Sequence, residues 1–132
     1  MANSLTYKGE EHMLLGDGSD GSIARLATAI KLMKGTSVPA RGGTGFVEVD
    51  NGNGYTTGGQ AVVIGDWTYD QNLSQIVLKD FTWTASGGSI ENIAGAYITD
   101  SGGNVLAWWE RSLLTLGAGD TVRLDNLVVK LG

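Results

Sequence analysis

From residue 76 onward, the sequence alternates apolar and polar residues in four short runs, which glycine-bearing segments separate. Successive side chains of a β-strand point to opposite faces, so this alternation is typical of strands with one buried face. The runs cover residues 76–85, 93–100, 105–110 and 121–131. They predict an all-β fold, an antiparallel β-sandwich of jelly-roll-like form, around an apolar core.

The first two runs differ in how many faces they bury. In the first, Val77, Phe81 and Trp83 are expected on one face of a single strand, with Thr82 and Thr84 on the other. The second run is apolar at both odd and even positions, as in a strand covered on both faces. It is therefore expected near the middle of a sheet.

The second and third runs predict a hairpin. Residues 101–104, Ser-Gly-Gly-Asn, tolerate positive φ and suit a tight connection. An antiparallel pair joined there would bring Tyr97 opposite Trp108 or Trp109.

The last run changes parity. Val122 and Leu124 occupy even positions, whereas Leu127, Val129 and Leu131 occupy odd ones. One extra residue at the polar break between them, a β-bulge, would keep both sets on the core side of one strand.

The segment around residues 23–33 fits two structures. A helical face would contain Ile23, Leu26, Ala27, Ile30 and Met33, with Ser22 as its cap and Gly35 at its end. Alternate residues over 24–32 fit a strand equally well. The pattern by itself leaves both open.

Composition limits the class of protein. A chain of 132 residues suits one domain, and 21 glycines against one proline suit many turns. The absence of cysteine excludes disulfides and thiolate metal sites, and no apolar stretch is long enough to cross a bilayer. The net charge of −5 comes without a basic stripe, so neither nucleic acid nor membrane is an expected partner. No secretory leader is visible, so synthesis and folding are expected in a cytoplasm.

Two parts of the chain are expected: an N-terminal arm over residues 1–21 and a β-sandwich domain over 22–132. The arm has few large apolar residues and a polar end over 16–21. An extended arm or short helix that docks on a neighbour and a frayed terminus are both compatible with this pattern.

No constellation of reactive residues stands out. His12 is the only histidine, so neither a histidine-rich zinc site nor a well-anchored Ser-His-Asp triad is expected. The carboxylates are scattered and ordinarily solubilise loops and strand edges. We therefore expect no enzyme activity, no metal and no cofactor.

A glycine-rich turn is expected after a strand over residues 46–49. The dipeptides Asn51-Gly52 and Asn53-Gly54 readily adopt positive φ and can reverse the chain sharply. Their spacing matches neither a dinucleotide fingerprint nor a P-loop. A structural turn is favoured over a phosphate cradle.

Several of these segments resemble a family of small structural proteins of tailed bacteriophages. Residues 48–59, E-V-D-N-G-N-G-Y-T-T-G-G, resemble the family's E-V-x-G-x-G-Y-T-x-G-G segment. Residues 68–70 resemble its V-T-Y-D, residues 81–86 its V-T-W-x-A-S, and residues 97–106 its Y-x-x-x-x-D-x-x-x-x-L region. The resemblance runs from about residue 30 to 131, and residues before 22 have no counterpart.

The resemblance implies a β-sandwich subunit of the virion, in the company of capsid decoration (cement) and head-fibre proteins and without an enzymatic role. It favours a strand over residues 28–33. The implied partner is the major capsid protein, and the implied location is the capsid surface of a virion assembled in the host bacterial cytoplasm. A homo-oligomer is expected, with a trimer favoured over a dimer.

The adjacent Trp108 and Trp109 must point to opposite faces of a strand, so only one can fill the core. The other either packs beneath a loop, contacts a subunit or stacks on a sugar. The alternative function is therefore a tail or fibre-tip module that binds a host receptor or glycan. The candidate capsid or subunit contacts are Leu5, Tyr7, His12, Leu14, Asn53, Tyr55, Trp108 and Trp109.

Overall fold

The computed structural model describes residues 2–6, 23–70 and 75–130, which form an antiparallel all-β sandwich. The elements in chain order are β1 (Ala2–Leu5), α1 (Ile23–Leu26), β2 (Ala29–Lys34), β3 (Gln60–Ala61), a 3-10 turn (Ile64–Asp66), β4 (Trp67–Asp70), β5 (Gln75–Leu78), β6 (Phe81–Thr84), β7 (Ile90–Thr99), β8 (Val105–Leu116), β9 (Thr121–Leu124) and β10 (Leu127–Lys130).

These strands form a five-stranded sheet in the order β1-β8-β7-β2-β3, a three-stranded sheet β10-β5-β4 and a two-stranded sheet β6-β9. One face of the five-stranded sheet and the apolar faces of the two smaller sheets share a continuous core. The core side chains exclude water together, which is the main favourable contribution to folding. The predicted all-β sandwich is confirmed.

The central strand is the one predicted from its two-sided apolar pattern. β7 lies between β8 and β2, with Ala96 and Ile98 buried in the shared core and Tyr97 buried on the opposite face. The predicted hairpin is also confirmed, because Tyr97 pairs directly with Trp108. β8 continues to Leu116, well beyond the predicted end of its run.

The prediction of one strand over residues 76–85 is wrong. β5 ends at Leu78, β6 begins at Phe81, and the two strands belong to different sheets. Both of these residues are buried, and because they lie three positions apart, a straight strand would point them to opposite faces. The chain instead turns a corner at the exposed Lys79 and Asp80.

A β-bulge inside one strand over residues 121–131 is wrong for the same reason. β9 ends at Leu124 and β10 begins at Leu127, in a different sheet, with Asn126 between them at φ 51°. β6 pairs with β9 and β5 with β10, so the two corners face each other. The core-facing role predicted for both apolar sets holds up to residue 130, and Leu131 lies outside the described residues.

The two structures that fit residues 23–33 are both present, one after the other. α1 is a single helical turn whose Ile23 is buried, and β2 begins at Ala29. The strand favoured for residues 28–33 is confirmed. A full strand over 46–49 is wrong: Glu48 makes an isolated bridge to Met33 at the edge of β2.

The second face of the five-stranded sheet carries its own apolar cluster. Met33, Tyr97, Val105 and Trp108 are buried there, and Phe46 packs on them. Phe46 belongs to the excursion from 35 to 47, which we call the outer hairpin. The residue pairs 38/45 and 40/44 of this hairpin are joined by backbone hydrogen bonds.

Part of the predicted N-terminal arm belongs to the domain. β1 pairs with β8 at the edge of the five-stranded sheet, and Thr6, the next residue in the chain, is fully buried. Residues 7–21 of the arm lie outside the described residues.

Candidate functional site

The segment that carries the family resemblance, residues 48–59, folds into a tight turn that we call the staple segment. The backbone of Gly52 donates to Tyr55 at 2.7 Å, and the backbone of Tyr55 donates back at 3.0 Å. Between them lie Asn53 at φ 55° and Gly54 at φ 99°. Two successive residues with positive φ characterise the type I′ hairpin turn, which Asn-Gly favours. The predicted Asn-Gly turn is confirmed.

The staple segment is anchored by the side chain of Tyr55. Its hydroxyl donates to the Glu48 carboxylate at 2.5 Å and accepts the backbone N–H of Leu32, in β2, at 3.1 Å. The same Glu48 oxygen accepts the backbone N–H of Gly58 at 2.7 Å. The ring is buried edge-on to Trp83, with 6.3 Å between centroids.

This burial has an electrostatic consequence. Desolvation raises the pKa of the Tyr55 hydroxyl well above its usual value, and the hydrogen bond to Glu48 raises the pKa further. The neutral phenol is therefore the form that fits the fold. The sequence placed Tyr55 among candidate surface contacts, but its ring and hydroxyl are used inside the chain.

The staple segment also joins two sheets. The carbonyl oxygen of Asn53 accepts the backbone N–H of Ser86, just after β6, at 2.9 Å. A Cβ placed on Gly54 would lie 2.3 Å from the carbonyl oxygen of Thr84, so the two backbones touch. Nearby, Gln60 Nε2 donates to the Thr82 carbonyl at 2.7 Å. The edge of β6 that does not pair with β9 is thus linked to the five-stranded sheet by the staple segment and by Gln60 of β3.

The exposed tip of the staple segment borders a polar depression. Asn53 donates through Nδ2 to the Ser89 carbonyl at 2.9 Å. The depression has a volume of about 280 Å³ and is lined by residues 50–53 and 89–91. Its carboxylates are Asp50, which pairs with Lys34 Nζ at 3.0 Å, and the exposed Glu91. Among the predicted contact residues that the structure describes, Asn53 therefore lies exposed at the tip of a hydrogen-bonded turn.

The two tryptophans point to opposite faces of β8, as expected. Trp109 is fully buried in the shared core and donates from Nε1 to the Val128 carbonyl at 2.9 Å. Trp108 lies on the other face, with its ring 5.3 Å from Phe46 in an edge-on arrangement. Core packing plus loop packing accounts for both rings, so neither is available as an exposed anchor.

Tyr97 shares the outer cluster with Trp108. Its ring centroid lies 5.3 Å from that of Phe46. Burial raises the pKa of Tyr97 to about 12, with a smaller contribution from the Glu48 carboxylate. One buried tyrosine, Tyr55, therefore belongs to the staple segment, and another, Tyr97, lies under the outer hairpin.

The remaining candidate contacts belong to the arm. The backbone of Leu5 pairs with Ala107 in β8. Tyr7, His12 and Leu14 lie outside the described residues, so their role as contacts stays a prediction.

Sequence reasoning missed two groups of residues. Glu48 and Gln60 hold the staple segment in place, and a carboxylate flanked by two valines, Val47 and Val49, is the sequence pattern that could have indicated the first. Several large apolar side chains are exposed: Val38, Val47, Val63, Ile64 and Leu113. No alternation pattern distinguishes them from core residues.

Within residues 2–6, 23–70 and 75–130, no group of three or more His, Asp or Glu side chains is placed to hold a metal ion. No helix in that part of the chain is long and apolar enough to span a membrane. Comparison with protein-family models, with curated proteins and with solved structures finds no match.

Proposed function

We propose that this chain is a tailed-bacteriophage virion protein, a capsid decoration subunit that binds the major capsid protein lattice and stabilises the shell. The observation that carries the proposal is the staple segment. The residues that resemble the phage family segment are those that make the turn, fill the space under it and join two sheets. In this interpretation the resemblance reflects the shape of a rigid sandwich.

Decoration would act by mass action. A subunit that binds the assembled lattice but not free capsid protein shifts the equilibrium toward the assembled shell, by RT ln(1 + [L]/Kd) for each site. A rigid binding surface loses little entropy on association, so more of the contact energy remains as affinity. The tip at residues 51–54 is held by the Gly52–Tyr55 backbone pair and by the bond from Asn53 to the Ser89 carbonyl, and we assign the capsid contact to this tip and the adjoining depression.

Cosedimentation tests the proposal. Purified protein is mixed with capsids assembled without it, and separately with host cells or envelope glycans. We expect it to pellet with capsids and to raise the temperature at which they disassemble. Pelleting with cells or glycans alone would replace decoration by the alternative, a receptor- or glycan-binding module. The specific observation favouring that alternative is the polar depression, whose amides and carboxylates suit sugar hydroxyls.

A pair of charge reversals tests the assigned surface. Glu91 lines the depression, whereas Asp125 is an exposed carboxylate between β9 and β10. We expect E91K to weaken capsid binding roughly tenfold, about 1.4 kcal/mol, and D125K to leave it unchanged. Equal effects of the two variants would reject the depression as the contact.

The arm is tested separately because β1 belongs to the sheet. Replacing residues 8–21 by a Gly/Ser linker of equal length keeps β1 and Thr6. If the arm is a tether to the capsid, this variant folds normally but loses capsid binding. Unchanged occupancy on capsids would contradict the tether.

A further inference from the structure

β1 occupies a slot at the edge of the five-stranded sheet. It pairs antiparallel with β8, Ala2 opposite Glu110 through Leu5 opposite Ala107, and it also lies against β10. The slot therefore spans the junction between the five-stranded and three-stranded sheets. A backbone strand that fills it satisfies main-chain groups at the edge of β8, which would otherwise be open to another chain.

A buried threonine completes the attachment. Thr6 is fully buried, its Oγ1 donates to the Val105 carbonyl at 2.5 Å, and its backbone N–H donates to the Leu106 carbonyl at 3.3 Å. These partners lie about a hundred residues further along the chain. The pairing therefore joins segments that are distant in the chain, and in the described contacts it is made by the backbone of β1 and by this hydroxyl.

The connection back to the domain is long. Residues 7–22, sixteen positions, separate Thr6 from the next described residue, Ile23. Fully extended, a chain of that length spans about 55 Å. A domain of this size has a radius of gyration of only about 14 Å. The length suffices for β1 to reach the slot of an adjacent copy.

We propose that the slot is an intersubunit site and that its occupant, when copies are crowded, is the β1 strand of a second copy of this chain. The donated strand would make the same backbone pairs with β8 and bury the same threonine, so exchange keeps the pairing that β1 makes in the closed monomer. Exchange among two or three copies would close a ring. This inference does not depend on the proposed virion function.

Local concentration decides between the two arrangements. A tethered segment competes for its own slot with an effective concentration on the order of millimolar. In dilute solution each chain therefore fills its own slot. The exchanged form becomes as populated as the closed monomer when the concentration of copies approaches that value, in concentrated solution or on any dense array.

Cysteine cross-linking tests this cleanly because the chain has no cysteine of its own. Cα atoms of antiparallel partners are about 4.5–5.5 Å apart, within disulfide range. Two single variants, A2C and E110C, are mixed at high concentration and oxidised. A disulfide-linked heterodimer in excess of random collision forms only if β1 of one chain lies beside β8 of another. The out-of-register control mixes S4C with E110C, since Ser4 pairs with Trp108.

We expect at least roughly tenfold more heterodimer from A2C with E110C than from the control pair, increasing with protein concentration. Equal yields from the two mixtures would mean random collision and would overturn the proposal. So would the absence of heterodimer when the double variant A2C/E110C closes its disulfide within one chain. Sedimentation of the unmodified protein gives an independent readout: a monomer up to millimolar concentration also overturns it.

Discussion

The staple segment and the outer hairpin are similar in length and glycine content but differ in how they are held. Each is twelve or thirteen residues long and contains four glycines. The staple segment is tied to two sheets. The Tyr55 hydroxyl bonds to the backbone of β2, and the backbone at Gly54 contacts the backbone of β6. The outer hairpin bonds mostly within itself, and it meets the five-stranded sheet through Phe46 and through backbone bonds of Val47 to Lys34 and of Gly35 to Asn92.

The glycines show the difference most directly. A Cβ on Gly59 would lie 1.9 Å from the Ile30 carbonyl oxygen, an atom of another element. In the outer hairpin, a Cβ on Gly45 would meet Val38 of the same hairpin, and Gly42 and Gly43 face open space. Glycine content therefore indicates a turn in both segments, but close packing of backbones between elements in only one of them.

The largest expected effect tests this packing. Gly59→Ala at φ 72° should destabilise the fold by about 4 kcal/mol, from a left-handed backbone cost and an overpacking cost together. Its neighbour Gly58, at φ 101° with open space, is the matched control, and Gly58→Ala should cost about 1 kcal/mol. Urea unfolding measures both. Equal losses would mean that the contact of Gly59 with the Ile30 backbone adds no cost, and would contradict the close packing inferred for the staple segment.

The next effect tests how the outer hairpin is held. Phe46→Ala should cost about 2 to 3 kcal/mol, because it removes a half-buried ring from Tyr97 and Trp108. Val38→Ala, at a side chain that is 76% exposed, should stay within about 0.5 kcal/mol. Tryptophan fluorescence should shift to the red in the first variant alone. If Val38→Ala costs as much as Phe46→Ala, the hairpin is held by more than its phenylalanine.

A slightly smaller effect sharpens the account of the staple segment. Tyr55→Phe leaves the Leu32 N–H without its acceptor and Glu48 without one donor, at a cost of about 2 kcal/mol. A double-mutant cycle with Glu48→Ala, followed by thermal or urea unfolding, isolates the pair. A coupling energy near zero would mean that the hydroxyl and the carboxylate do not stabilise one another.

The smallest effect compares the tyrosines that the two segments cover. Folding raises both pKa values, to about 12 for Tyr97, above an unfolded value of about 10. The neutral form fits the fold, so its stabilisation is complete below about pH 10 and is lost as the pH rises toward about 12. The slope is at most about 1.4 kcal/mol per pH unit for each tyrosine.

Urea midpoints between about pH 9 and 11 measure this loss. Tyr97→Phe and Tyr55→Phe should each flatten the pH dependence relative to the unmodified chain. A profile identical in all three proteins would assign the alkaline loss to other groups.

Much of the sheet could be predicted from residue patterns. The two-sided apolar run containing Tyr97 indicated the central strand because only a strand covered on both faces can bury both parities. The Asn53-Gly54 turn was predictable because few dipeptides accept two positive φ angles in succession. These features depend on neighbours a few residues apart, so short windows of sequence contain the information.

The corners after Leu78 and Leu124 were not predicted, although their spacing is informative in retrospect. In each case two core residues three positions apart flank a polar pair. A bulge and a change of sheet both restore parity, and the difference between them depends on which strand lies opposite. After these corners β6 and β9 pair with each other in a separate sheet, and this pairing is not visible in either run alone.

The candidate site likewise contains one feature that the sequence predicted and one that it did not. The turn at Asn53 was predicted correctly and the Asn53 side chain is exposed, whereas Tyr55, also proposed as a capsid or subunit contact, is buried. Its place depends on Glu48 and on the Leu32 N–H, which approach it only after β2 and the staple segment pack together.

The sequence by itself determined the strand class, the central position of β7, the hairpin to β8 and the sharp turn at Asn53, because side-chain periodicity and backbone preference are local properties. Only the tertiary structure decided which sheet each strand joins, where the chain turns its corners and which aromatic rings are hidden. Those outcomes depend on burial against residues distant in the chain, as Trp109 bonded to Val128 and Thr6 to Val105 illustrate. The free energy of such contacts arises only when both partners leave water together.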